Sequence, residues 1–329
     1  GFLAASTTDF IQSIVMTIAL VVVLGYGVVH AGGMGAVIEN AKSLEGYFTV
    51  FMSHDPATGT GSPYSFLTIC STLAWGLGYF GMPHILLRFM AIDDAKNLTL
   101  SRRIASVWVV ISMGVAILIG VIGLGMVSNG AMPALEDPER IIVVIARLIS
   151  GHNILAALVA GVILAGILAA TMSTADSQLL AAASSVSQNI VKENIAKNMS
   201  EKTTMLVARL TLVVIAIIAV FLASNEDSSV FRVVSFAWAG FGAAFGPIML
   251  FSLFWKRTTK WGALAGMIVG GAMVFIWKYG IANLGGAFAI YELLPAFVAA
   301  SIAIVVVSLI TPMPEKEVID SFEAASKTK

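Results

Sequence analysis

The chain has 329 residues, with 19 basic and 19 acidic side chains and a formal net charge of zero; 58% of its residues are apolar, 12% are charged, and mean hydropathy is +0.92. This composition lies outside the soluble globular range and among membrane proteins with many spans, and nothing in the charge balance points to a nucleic-acid partner. A single cysteine, Cys70, excludes an internal disulfide and a cysteine metal cluster, and four scattered histidines give no basis for a histidine metal site or a resident cofactor.

Apolar windows of about 20 residues, the length that crosses a hydrocarbon core, recur near residues 10–30, 66–86, 104–127, 154–173, 205–223, 230–254, 262–281 and 288–310. They predict about eight transmembrane helices and an all-α fold. The segments 88–103, 192–209, 256–260 and the tail hold every basic residue except Lys42, Arg140, Arg147, Arg232 and Lys278. By the positive-inside rule those segments face the cytoplasm, so both chain ends lie there and membrane lipid is the immediate partner. Residues 1–311 are thus expected to form the transmembrane domain, and 312–329 a polar cytoplasmic tail, helical at best in part. The outer loop over 32–62 ends in a turn-forming run, Gly59, Thr60, Gly61, Ser62 and Pro63. A second outer loop carries Pro133 and Pro138 before 139–149, an amphipathic piece expected to lie along the surface.

The second span carries Trp75, Tyr79 and Pro83 at i, i+4 and i+8, with Gly76, Gly78 and Gly81 between them. That spacing aligns an indole, a phenol and a helix breaker on one face, beside glycines that weaken the helix or admit another backbone. One reading is an aromatic-walled substrate pocket at a discontinuous helix. The other is an interfacial aromatic belt with a packing kink.

In the fourth span an apolar run fills abruptly with Thr171, Ser173, Thr174, Asp176, Ser177 and Gln178. Hydroxyls in a membrane helix commonly bond back to their own turn. So many oxygens in so short a stretch, with a carboxylate among them, equally well present an oxygen-rich strip that suits a small hard cation. The sixth span alternates small and aromatic residues from Phe236 to Pro247, which fits close packing or a gated path. Gly262, Gly266 and Gly270 in the seventh span read as a packing ridge alone.

These pieces together resemble the sodium:solute symporter family, in its sodium/proline branch. The matching motifs are Gly1 to Ala4 with Thr8 and Asp9, Trp75 to His84, Arg88 to Ala91, Leu168 to Thr174 with Gln178 to Leu180, and Phe236 to Pro247. The resemblance implies an inverted-repeat, LeuT-like transporter fold in a bacterial inner membrane, and a secondary active transporter rather than an enzyme. It implies that the chain corresponds to the last eight helices of a thirteen-helix member, without the broken first core helix, and is expected not to transport alone. Carried over by position, Ser173 and Thr174 are hydroxyl ligands for the coupling sodium ion, with the Ala170 carbonyl alongside. Trp75, Tyr79, Pro83 and Gly161 correspond to the proline pocket. Asp9 matches a carboxylate near the sodium exit path, Arg88 a cytoplasmic-loop arginine linked to coupling, and Trp238 and Phe241 are gate candidates. Asp176 stands where some members have Ser and is not counted among the ligands; Met82 stands where some have Gln, which bears on substrate preference, and another small solute such as a sugar, pantothenate or a monocarboxylate is the alternative substrate. An intramembrane serine hydrolase is the distant alternative, since no Gly-x-Ser-x-Gly elbow surrounds Ser173.

Overall fold

The computed structural model describes residues 2–55, 58–224 and 229–327. They are overwhelmingly helical and fall into two compact units. The first comprises residues 1–63 and 92–215, and the second 64–91 and 216–329. Seven described helices are long and apolar enough to cross a membrane. Large apolar side chains such as Val110 and Phe221 stand exposed on them, as they do where the solvent is lipid.

The first unit is built on α1 (Phe2–His30), α5 (Leu98–Ser128) and α7 (Ile154–Ser184). The start of α7 is fixed by Asn153, whose Oδ1 accepts the Ala156 N–H at 2.9 Å. Gly166 of α7 faces Ala19 of α1 so closely that a Cβ there would stand 2.7 Å from the alanine methyl. The core gathers Val23, Ile119, Ile122, Met126, Ile145 and Ile163, all essentially without exposure. Asn129 closes the end of α5 onto α1: its Nδ2 donates to the His30 carbonyl, and its Oδ1 accepts from Ala131 N.

The amphipathic piece forms α6 (Ile141–Ser150), which docks onto α7 and buries Ile145, Ala146 and Ile149 rather than lying free on the surface. The outer loop is more ordered than its turn-like sequence suggests. It holds α2 (Met34–Ser43) and an antiparallel hairpin of β1 (Met52–Asp55) and β2 (Thr60–Pro63), with Met52 opposite Pro63 and Asp55 opposite Thr60. Gly59, at φ +70°, supplies the left-handed turn that the hairpin needs. This small sheet is the one departure from an all-α fold among the described residues.

The second unit contains α9 (Val230–Phe254), α10 (Lys260–Tyr279), α11 (Leu293–Ile310) and the tail helix α12 (Lys316–Lys327). α8 (Glu201–Ala223) crosses the boundary between the units. The ridge of small residues on α10 is a packing surface, as its sequence predicts. Gly262 abuts Ser308, Gly266 abuts Ile304, and Gly270 abuts Ala300 and the Ala243 carbonyl.

The expected second span is not one continuous helix. It is α3 (Phe66–Gly78), a 3₁₀ turn over Tyr79–Gly81, and α4 (Pro83–Met90). Met82 between them is extended, at φ −80° and ψ 110°. Proline forces this, because its ring disfavours the helical conformation in the preceding residue while its own fixed φ suits the first position of a new helix.

Candidate functional site

The break in the second span organises an aromatic cluster within the second unit. Trp75 and Tyr79 lie one turn apart, and both meet Trp238 of α9. The Trp75 and Trp238 rings stack with centroids 5.9 Å apart, and Tyr79 meets Trp238 edge-on at 4.8 Å. The Trp238 indole also donates its Nε1–H to the Trp75 carbonyl at 3.0 Å. Glycines permit this approach. A Cβ on Gly78 would overlap the Trp238 indole, and one on Gly81 would overlap the Phe241 carbonyl. Gly242 and Gly246 answer from α9, against the Gly78 Cα and the Phe297 ring. Gly76, by contrast, has no atom within 4 Å of where a Cβ would stand.

Pro83 stands at the first position of α4, next to the buried Met82 and Gly81. Tyr79 keeps 54% of its surface exposed beside the Trp238 ring. Phe241, a gate candidate, is 45% exposed and stacks on Phe245 at 6.2 Å. Arg88 lies exposed in the last turn of α4. Of the sequence candidates in this unit, the structure therefore gathers Trp75, Tyr79 and Trp238 into direct contact.

In the first unit, α7 runs unbroken through the hydroxyl-rich segment and passes into wider π-type turns over Ser185–Ile195. Ser173 is half-buried and donates its hydroxyl proton to the Ala170 carbonyl at 3.0 Å. Thr171 donates likewise to Ile167 O, and Ser177 to Ser173 O. Back-bonding is thus real here, but it does not exhaust the strip. A hydroxyl that donates its proton keeps two lone pairs for a cation. Thr174 is exposed and its hydroxyl has no hydrogen bond among the described residues.

The Ala170 carbonyl is differently placed. Within a continuous helix it also accepts the Thr174 N–H, so the Ser173 hydroxyl takes its second lone pair. In this conformation both lone pairs of the Ala170 carbonyl are engaged within the helix. Asp176 is exposed on the same helix, Gly161 is exposed with open space around it, and Asp9 is half-buried on α1. No group of three or more His, Cys, Asp or Glu side chains that could hold a metal ion occurs among the described residues. An apolar cavity of about 190 Å³ touches Ala170 and Gly166, but neither Ser173 nor Thr174 lines it.

Sequence reasoning did not find Phe231, Ser71 or Tyr291. Phe231 stacks on Trp75 at 5.3 Å, and Tyr291 does so at 5.8 Å. The Tyr291 backbone N–H donates to Ser71 Oγ, 220 positions away in the chain. No local pattern carries a pairing at that separation.

Comparison with known proteins bears on both units. The family model described as the sodium:solute symporter family matches residues 1–270. The high-affinity proline transporter PutP of Bacillus subtilis is 41% identical over 323 residues, covering 98% of this chain and 64% of that protein. The sodium/proline symporter of Haemophilus influenzae is 41% identical over 337 residues, covering 99% and 64%. That of Escherichia coli is 38% identical over 321 residues, covering 95% and 59%. This chain therefore spans about three-fifths of the length of these relatives. With a match over most of its length and a set of membrane-crossing helices to accompany it, the chain is an integral membrane protein that belongs to the sodium:solute symporter family.

Proposed function

We propose that this chain takes part in sodium-coupled symport of proline across a bacterial plasma membrane by alternating access. The observation that carries the reading is the discontinuous helix at Met82, with Trp75 and Tyr79 gathered against Trp238 beside the break. Broken helices place irregular backbone and side chains at a transporter's binding site. An aromatic wall with one exposed phenol suits a small ligand that has an apolar ring and a polar end. The proline transporters among the relatives supply the substrate class.

Sodium is cargo in this account. Ser173 and Thr174 offer it two hydroxyl oxygens from one helix, and the Ala170 carbonyl joins them only if the Ser173 hydroxyl turns away. By the family resemblance, Trp75, Tyr79 and Pro83 are candidates for the substrate side and Gly161 a further one, Trp238 and Phe241 are gate candidates, Asp9 a carboxylate for the sodium exit path, and Arg88 an arginine linked to coupling. Residues 1–311 would be the membrane domain and 312–329 the cytoplasmic tail. The Lys256–Glu323 contact at 3.6 Å supports that placement, since it joins α12 to the basic loop after α9.

Coupling needs no covalent chemistry. If the arrangement that binds sodium also binds proline more tightly, each ligand raises the affinity for the other by the same factor. The membrane potential contributes about 2.3 kcal/mol per sodium charge per 100 mV. The test is uptake of radiolabelled proline by proteoliposomes, with and without an inward sodium gradient, for this chain and for any longer form of the protein. Sodium-dependent proline uptake that loses sodium activation in Thr174→Ala, with membrane insertion intact, supports the reading. Unchanged sodium dependence in that variant removes the cation assignment. Sodium-driven uptake of a different solute removes the proline assignment.

A further inference from the structure

The connector between α10 and α11 lies outside every residue assigned above, yet it reaches the centre of the aromatic cluster. It is held from both sides. Trp277 of α10 donates its Nε1–H to the carbonyls of Phe288 and Ile290, at 3.1 and 3.2 Å. Lys278 Nζ lies 3.2 Å from Glu292 Oε1, a carboxylate only 6% exposed. That oxygen has no hydrogen-bond partner beyond this charge contact among the described residues, so the ion pair is its main compensation for burial.

Between these anchors stands Tyr291. Its backbone N–H donates to Ser71 Oγ of α3 at 3.0 Å, and its phenol donates to the Ser235 carbonyl of α9 at 2.6 Å. Its ring lies 18° from parallel with the Trp75 indole at 5.8 Å. One residue thus binds the broken-helix segment through its backbone and ring, and α9 through its hydroxyl.

We propose that Tyr291 is a positioning residue for the substrate pocket: its ring, fixed to Ser71 and Ser235, holds the Trp75 indole in the orientation that meets the substrate. The proposal rests on the reading of Trp75 as a pocket residue. An indole on a helix turns about two side-chain bonds, and each turn it takes when unsupported is lost on binding. A ring stacked on it and itself held at two points removes that freedom before the ligand arrives, which raises affinity by lowering the ordering cost. Trp238 and Phe231 flank the same indole but come from α9, so they move with that helix. Tyr291 comes from a different element and holds α3 and α9 together.

The experiment compares Tyr291→Leu, Tyr291→Phe and Trp75→Ala in the transport-competent form of the protein, measuring the KM for radiolabelled proline and the half-saturating sodium concentration. Loss of one supporting ring should raise the proline KM about three- to tenfold in Tyr291→Leu. Sodium half-saturation should stay within about twofold, because the proposal touches the substrate side alone. Tyr291→Phe keeps the ring and the backbone bond but loses the Ser235 anchor, so its KM should fall between those of the parent and Tyr291→Leu. A Tyr291→Leu variant with parental KM overturns the proposal, as does an equal rise in KM for Leu and Phe. Equal losses of proline and sodium affinity also overturn it, since a merely structural role would produce them. If Tyr291→Leu fails to reach the membrane, Tyr291→Met, which fills similar space without a ring, is held to the same outcomes. A parental KM in Trp75→Ala refutes the pocket reading itself. A raised KM in Trp75→Ala beside a parental one in Tyr291→Leu refutes only the positioning role.

Discussion

Two glycines two positions apart on α3, Gly76 and Gly78, should respond differently to the same substitution. In Gly78→Ala the new methyl would overlap the Trp238 indole, which must leave its place. Leaving breaks the Nε1–H bond to the Trp75 carbonyl, about 0.5–1.5 kcal/mol. It also loosens the stack on Trp75 and the edge contact with Tyr79, about 0.5–1.5 kcal/mol each. Alanine returns about 0.8–1 kcal/mol through its greater helix propensity. The net loss is about 0.5–3.7 kcal/mol, a range that contains the usual cost of overpacking a core, about 1–3 kcal/mol. Gly76→Ala meets no atom within 4 Å and keeps only the propensity gain, so it should be neutral or stabilising. The assay is thermal unfolding of the detergent-solubilised chain, followed by tryptophan fluorescence, with parent and both variants measured side by side. A lowered Tm in Gly78→Ala beside a parental or raised Tm in Gly76→Ala is expected. Equal shifts in the two, or a parental Tm in Gly78→Ala, would refute the claim that α3 and α9 meet at Gly78.

Other outcomes follow from the same geometry. Arg257 donates to the carbonyls of Thr311 and Leu309 at the end of α11, at 2.7 and 3.4 Å. Arg257→Ala should therefore lower stability by about 1.5–3 kcal/mol in chemical unfolding, the usual worth of hydrogen bonds from a charged donor. Lys256→Ala removes an exposed pair and should cost at most about 1 kcal/mol in the same measurement. Thr259 accepts the Gly262 N–H at the start of α10, so Thr259→Ala should destabilise by about 1 kcal/mol and Thr259→Ser by much less. Burial, with a smaller push from the neighbouring Glu292 carboxylate, raises the Tyr291 phenol above the ordinary tyrosine value. The raised value means that the contribution of the neutral phenol to stability is complete below about pH 10 and is lost as pH climbs toward it. Alkaline titration of tyrosinate absorbance should accordingly show Tyr291 ionising after exposed tyrosines, with that late step missing in Tyr291→Phe.

How much of this was legible in the sequence depends on the range over which each residue acts. Hydropathy located the membrane helices because lipid acts on every residue of a span alike. The break at Met82 was legible in part: Pro83 and the three glycines signalled a weak helix, but a kink and a true interruption share that signal. Which glycines matter was not legible. Gly76 and Gly78 are equivalent in the chain, and only the Trp238 ring separates them in space. The hydroxyl strip was read as either self-bonded or cation-seeking, and Ser173 shows why the alternatives are not exclusive, since donating to Ala170 leaves its lone pairs available. Sequence marks Trp238 only as a gate candidate, because its chain neighbours describe α9, whereas its contacts with Trp75, Gly78 and Tyr79 come from the broken span. The hairpin over Met52–Pro63 escaped notice because its strands are short, polar and interrupted by glycine, without the alternation that marks a half-buried sheet.

The seam between α3 and α9 also limits how such a protein can change over generations. Where a large residue faces a small one, a gain on one side can be matched by a loss on the other, and lineages drift through such paired exchanges. At Gly78 and Gly242 both partners are already glycine. A side chain added at 242 meets the Gly78 backbone, and glycine at 78 cannot shrink to admit it, whereas one added at 78 meets the Trp238 indole, which a smaller residue at 238 would relieve. Along α3 a side chain at Gly76 therefore needs no partner change, one at Gly78 needs a matching loss at Trp238, and one at Gly242 has no side chain opposite it to trim at 78.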